Sequence, residues 1–117
     1  PSGVSTPLTE GALLGSARAL DASHSWSVDG KMIMPYHPYT KATATPVVPG
    51  TVTRYDIEVF PTYATIAPGH RIRITLSTAD FPHLMPTTPA LLKLAGGRYQ
   101  VQRTASAPSS VTIPLIG

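Results

Sequence analysis

Two Pro-Gly dipeptides, Pro49-Gly50 and Pro68-Gly69, each stand immediately before a run of alternating residues. Proline presets the first central φ of a type II turn and glycine accepts the positive φ of the second, so each pair predicts a chain reversal followed by a strand. In 52–60, Thr53, Tyr55, Ile57 and Val59 fall on one face and Arg54, Asp56 and Glu58 on the other. In 70–77, His70, Ile72, Ile74 and Leu76 alternate with Arg71, Arg73, Thr75 and Ser77. Period-two alternation marks a half-solvated β-strand. Paired antiparallel, the two strands would set Arg71 or Arg73 opposite Asp56 or Glu58. An exposed pair of that kind contributes only about 0.2–1 kcal/mol, so the apolar faces must fix the register.

The rest of the chain points to the same class. Thirteen prolines and nine glycines in 117 residues favour short strands and turns over helices. Residues 1–9 are rich in Pro, Ser and Thr and form a connector. Residues 8–20 contain Ala and Leu, but Gly11 and Gly15 and the alternation of Leu14, Ser16 and Arg18 fit a strand better than a helix. Residues 21–31 are polar with a turn at Asp29-Gly30. Pro35, Pro38 and Pro46 then forbid a regular helix, which makes 32–48 a long crossing between sheets and not a strand pair. Further on, 91–94 is open between a helical turn and none, while 99–103 and 111–115 alternate as two last strands joined by a hairpin loop over 104–110. The fold expected is all-β, an antiparallel Greek-key sandwich in a single domain.

Composition narrows the function. The formal charge of +3 is spread along the chain without a basic block, which argues against a nucleic-acid partner. Charged residues are only 13% against 42% hydrophobic, so part of the surface is expected to meet another protein. There is no cysteine, hence no disulfide, thiolate metal site or cysteine nucleophile. No apolar run approaches the ~20 residues of a membrane span, so no membrane partner is expected.

Chemistry is hard to find in these residues. A serine nucleophile of the α/β-hydrolase class needs the sharp elbow that G-x-S-x-G encodes, and Ser16, within LGSAR, lacks the second glycine. His24, His37, His70 and His83 share no metal-ligand spacing and gather no acidic residues, so neither a metal nor another cofactor is expected. His70 fits a hydrogen-bonded structural role, and His37, between Tyr36 and Tyr39, an anchor for the crossing loop. Trp26, Tyr36, Tyr39, Tyr63 and Tyr99 could stack on sugars, but such aromatics more often fill a core or an interface. The loop over 79–89 is too apolar to be idle. The candidate interface residues are therefore Tyr36, His37, Tyr39, Phe81, His83, Leu84 and Met85.

Taken together, EGALLGSAR (10–18), PYHPYT (35–40), VPGTVTRYDIEVFPTYATIAPGHRIRITLSTADFP (48–82) and SSVTIPL (109–115) resemble the C-terminal β-sandwich domain of the X-Pro dipeptidyl-peptidase and cocaine-esterase-like serine hydrolases. The order and spacing match along nearly the whole chain, most specifically from Pro-Gly through A-P-G-H-R-I-R-I to D-F-P. The resemblance implies a jelly roll with a galactose-binding-like fold, joined to an α/β-hydrolase domain that holds the entire Ser-Asp-His triad. It implies a non-catalytic role: packing on the hydrolase, shaping its entrance and supporting oligomerisation, in an enzyme that cleaves ester or amide bonds. The alternative weighed against it is a free-standing carbohydrate-binding module of the same fold. Two departures stand out. HLMPTTP follows Phe81-Pro82 where some members of the family carry an Asn-containing loop, and only nine residues precede the EGALLGSAR segment where the family has several strands. The expectation is accordingly a fragment, split-gene product or processed piece completed by strands from a partner polypeptide.

Overall fold

The computed structural model describes residues 3–78, 83, 87–94 and 96–115, and within the helix the side chains of 90, 91 and 94 are not described. Among these residues the architecture is all-β in class. The sheet is one antiparallel pair, β1 (Trp26–Val28) and β2 (Lys31–Met34), accompanied by two single 3-10 turns (Gly15–Ala17 and Lys41–Thr43) and a seven-residue helix, α1 (Thr88–Leu94). Among the described residues no helix is long and apolar enough to cross a membrane.

The hairpin follows from its turn. Asp29 and Gly30 both take positive φ, 50° and 73°, as a type I′ turn demands of its two central residues. Val28 and Lys31 pair beside it, then Ser27 with Met32 and Trp26 with Met34. Ile33 is left as the extra residue of an irregularity between Trp26 and Ser27. The Asp29-Gly30 turn was legible in the sequence, whereas the exclusion of a strand pair from 32–48 is corrected: Met32 to Met34 are ladder residues, and the proline-bound crossing begins only at Pro35.

Both Pro-Gly turns form as expected. Thr51 N–H donates to Val48 O at 3.2 Å with Gly50 at φ 78°, and His70 N–H donates to Ala67 O at 3.1 Å with Gly69 at φ 81°. The runs that follow them differ from expectation, since neither 52–60 nor 70–77 enters a ladder. Residues 99–103 and 111–115 enter none either, although the chain reverses between them at a Thr104–Ala107 bridge. In α1, Pro89 sits in the first turn, where its missing N–H costs nothing, so the helical option at 91–94 is the one taken.

The stretch 8–21 threads the molecule. Phe60 N–H donates to Glu10 O at 2.8 Å, and Thr9 Oγ1 donates to Phe60 O at 2.6 Å. Thr62 Oγ1 reaches Leu8 O at 3.5 Å, so 8–11 and 58–62 lie antiparallel, side by side. Further along, Thr45 N–H donates to Ser16 O at 2.8 Å, and the Arg18 guanidinium donates to Gly15 O, Thr45 O and Pro46 O at 2.8, 2.6 and 3.2 Å. The strand expected over 8–20 is interrupted by the 3-10 turn, closed by Ala17 N–H to Leu14 O at 2.8 Å.

The best-covered region lies where 13–21, 32–38 and 53–58 meet, and its centre is polar. His37 is 4% exposed and Pro35 is buried beside it, while no other apolar side chain among the described residues is buried. The two faces of 52–60 are not sorted as expected: Thr53, Asp56 and Glu58 are half-buried, Arg54, Ile57 and Val59 are exposed, and Tyr55, though exposed, sets its ring edge and hydroxyl beside Gly15 of the 8–21 thread.

Candidate functional site

The crossing loop from Pro35 to Thr40 is the most firmly held irregular segment. Tyr36 N–H donates to Ser25 Oγ at 2.9 Å, and its carbonyl accepts from Asp21 N–H at 3.0 Å. The Tyr36 ring lies tilted against His24, 5.3 Å between centroids. His37 bonds with both ring nitrogens: Nδ1 is 3.0 Å from Ala19 O and Nε2 is 2.7 Å from Asp56 O. This places the ring as the anchor the sequence suggested, tying the loop to the thread and to 53–58 at once. Tyr39, held at φ 52° despite its side chain, sets its ring edge-on to His37 at 5.8 Å. Thr40 then caps the Lys41–Thr43 turn, its Oγ1 accepting from Thr43 N–H at 3.3 Å.

The consequence is a rigid base displaying two aromatic side chains. Tyr36 and Tyr39 remain 48% and 61% exposed even though their backbones are pinned. Of the other candidate interface residues, His83 is exposed, and Phe81, Leu84 and Met85 lie outside the described residues. His70 bonds back to its own turn, its Nδ1 donating to Ala67 O at 3.2 Å. The ion pair of Asp56 is not with Arg71 or Arg73 but with Arg54, whose Nη2 lies 2.7 Å from Asp56 Oδ1. Residues two apart along a non-helical segment project to the same side, and this makes the pairing local.

One cluster was not singled out in the sequence, although D-x-S-H announces it. Asp21 Oδ1 accepts from Ser23 N–H (2.9 Å), Ser23 Oγ (2.6 Å) and His24 N–H (3.3 Å), while Oδ2 accepts from His24 Nδ1 at 2.7 Å. The Ser23 hydroxyl, and after it the His24 ring, hold the Asp21 carboxyl down to about 2. Serine, histidine and aspartate together invite comparison with a catalytic triad, but the connectivity is wrong. In a triad the hydroxyl bonds Nε2 while the carboxylate holds Nδ1. Here the hydroxyl gives its proton to the carboxylate and approaches only Nδ1, at 3.2 Å. The cluster is a side-chain-closed turn, continued by Ser25 N–H to Asp21 O at 3.1 Å.

Elsewhere an open cleft of about 270 Å³ lies between the hairpin tip and 112–114, lined by Val28, Ile33, Ile113 and Pro114 with Asp29 and Lys31 beside them. Thr112 also lines it, and no histidine is among its lining residues. Among the described residues no three His, Asp or Glu side chains gather as metal ligands would.

Comparison with known proteins adds the family. Residues 1–111 match the family described as the X-Pro dipeptidyl-peptidase C-terminal non-catalytic domain. Two mycobacterial proteins, each named "Putative serine esterase", one from Mycobacterium bovis and one from Mycobacterium tuberculosis, are 31% identical over 120 aligned residues. The alignments take in 99% of this chain and 17% of each relative, so the chain spans about a sixth of the length of the curated relatives it matches. No solved structure matches. The match over 1–111 places the chain in the family of X-Pro dipeptidyl-peptidase C-terminal non-catalytic domains.

Proposed function

We propose that this chain serves as the accessory β-sandwich segment of a serine hydrolase, packing against an α/β-hydrolase catalytic domain and helping to form its active-site entrance or its oligomer contacts. The observation that carries this reading is the open surface. A chain of 12.4 kDa that folds alone is expected to expose about 6,100 Å²; this one exposes 10650 Å². Tyr55, Ile57, Val59, Ile72, Ile74 and Leu76 are all exposed in runs that the sequence patterns as half-buried. A jelly roll completed by further strands and packed on the catalytic domain would bury them.

Acyl transfer to ester or amide substrates, X-Pro peptides among them, would then proceed through a serine supplied by the catalytic partner. This chain contributes shape, with Tyr36, Tyr39, His83 and the 81–85 segment as the contact candidates. The carbohydrate-module alternative is not favoured, because the family match is to the C-terminal non-catalytic domain of a peptidase and the relatives are named as serine esterases.

The test is cleavage of acyl-ester and X-Pro-anilide substrates by this chain alone and by this chain together with the catalytic polypeptide. The expected result is no turnover by the chain alone and a change in KM or kcat of the catalytic part when the chain is present. Turnover by the isolated chain would refute the reading.

A further inference from the structure

We propose that Asp29-Gly30 is a self-modifying joint, a site where the chain rearranges to isoaspartate and so opens the β1–β2 hairpin that the turn holds closed. The inference starts from which aspartates are placed to react. Of Asp21, Asp29, Asp56 and Asp80, only Asp29 is followed by glycine, and the chain has no asparagine. Glycine leaves its backbone nitrogen unshielded, because it has no Cβ to crowd an approaching group. Two of the other carboxylates are committed. Asp21 accepts from Ser23 and His24, and both oxygens of Asp56 accept from Arg54 Nε, at 3.0 and 2.9 Å. Asp29 is exposed, belongs to neither described ion pair and accepts no hydrogen bond at its carboxylate from any described residue. Gly30 is exposed too, a Cβ built on it would meet nothing within 4 Å, and its N–H is in no turn or loop bond among the described residues.

The reaction balances with water alone. The Gly30 nitrogen attacks Asp29 Cγ, an N–Cγ bond forms, the nitrogen gives up its proton, and a carboxyl oxygen leaves as water to close a succinimide ring. Water then adds to one of the ring carbonyls. Breaking the N–Cγ bond restores aspartate. Breaking the bond from the nitrogen to the former backbone carbonyl leaves the chain running through Cβ and Cγ, with the old carbonyl as a free carboxylate. Composition is unchanged, and no oxidant or reductant is required. The backbone gains one carbon, about 1.5 Å of extra path at an ordinary bond length. A type I′ turn closes through two central residues at positive φ, here 50° and 73°, and the longer link cannot keep Val28 opposite Lys31. The hairpin also supplies the motion that the attack requires. Two strands without a third are marginal, so Asp29 can leave its φ of 50° and bring Cγ to the nitrogen. Val28, Asp29 and Lys31 line the cleft together with Thr112, Ile113 and Pro114, so opening the tip remodels one of its walls.

The experiment ages the full chain at physiological temperature and pH. Trypsin then releases 19–31, which carries Asp21 and Asp29 together. Electron-transfer fragmentation, which separates isoaspartate from aspartate at equal mass, locates the isomer. The synthetic peptide 19–31, aged beside the chain, gives the rate of the sequence without its fold. The expected result is isoaspartate at 29 in the folded chain at a rate within about tenfold of the peptide's, since the hairpin is marginal. At 21, where a side chain follows, the rate should be lower by about tenfold or more. Gly30→Ala separates the chemistry from simple loosening: it weakens the turn yet crowds the nitrogen, so isomerisation should fall about tenfold and not rise. NOE contacts between Val28 and Lys31 should vanish from the isomerised fraction and persist in the rest. No isoaspartate at 29 in the folded chain, equal rates at 21 and 29, isomerisation unchanged or faster in Gly30→Ala, or an isomerised fraction that keeps the Val28–Lys31 contacts would each overturn the proposal.

Discussion

Gly11 shows how a single position can be fixed by its neighbour's backbone. A Cβ built there would fall on the Glu58 carbonyl oxygen and come within 2.9 Å of its carbon and 3.0 Å of Val59 Cα. These are backbone atoms, which cannot swing aside as a side-chain tip can. Gly11→Ala should therefore force 8–11 and 58–62 apart at a cost of about 1–3 kcal/mol, in the range of overpacked sites. Faster exchange of the Phe60 amide, with the Asp21 amide unchanged, is the expected measurement. The glycine was visible in the sequence as an argument against helix, but its partner was not, because contact between residues so far apart has no local signature. Asp21 offers a second test at this scale. Its carboxyl is lowered to about 2 from 3.8, chiefly by the Ser23 hydroxyl and then by His24. A depressed carboxyl stabilises the turn above its unfolded value and loses that contribution as pH falls through the folded one. The 21–25 turn should thus hold at pH 4 and open on acidification toward about 2. Ser23→Ala should raise the Asp21 midpoint, as followed by carboxyl ¹³C shifts, and an unchanged midpoint would show that Ser23 is not the cause.

Among the elements, what could be read in advance was turns, and what could not was pairing. Asp29-Gly30, Pro49-Gly50 and Pro68-Gly69 all reverse the chain where the sequence places them, because glycine's tolerance of positive φ is a property of the residue itself. The hairpin around Asp29-Gly30 went unseen because Trp26 to Met34 lacks clean alternation, and the nearby prolines suggested a crossing. The converse holds for 52–60 and 70–77, where alternation was clear but a ladder requires a partner that alternation cannot name. The sorting of 52–60 failed for the same reason: Asp56 and Glu58 are half-buried while Ile57 and Val59 are exposed, and Tyr55 lies beside Gly15 of the thread. The His37 anchor was half legible, since its position between two tyrosines suggested a fixed loop without identifying Ala19 and Asp56 as the fixing points. The hairpin gives the prediction at this scale. Gly30→Ala puts a side chain at φ 73°, which costs about 1–2 kcal/mol. Cross-strand contacts between Val28 and Lys31 should weaken in NOE spectra, whereas Asp29→Asn, suited to a type I′ turn, should leave them intact.

For the whole molecule the deciding quantities are area and size. The radius of gyration is 16.4 Å, against about 13 Å for a closed domain of this length. The exposed surface exceeds that of a closed domain by about 4,500 Å², several times the roughly 800 Å² that one partner buries in an ordinary docking contact. Surface on that scale calls for covering by interleaved secondary structure, as within a single core, and not for a patch on an otherwise finished domain. The mixture of a firmly hydrogen-bonded polar centre at His37 with exposed alternating runs fits this, because local hydrogen bonds can form before the layer that buries the apolar faces arrives. It follows that this chain alone should bind an apolar fluorescent dye and melt over a broad range, with a calorimetric enthalpy well below the roughly 0.7 kcal/mol per residue of a closed domain. Within a longer chain that carries the catalytic domain it should lose most of the dye signal and melt in one sharp step. Differential scanning calorimetry and dye titration on both forms make the comparison. A monomeric chain that melts sharply by itself, with full enthalpy, would mean that the exposed runs close on one another and that no partner strands are needed.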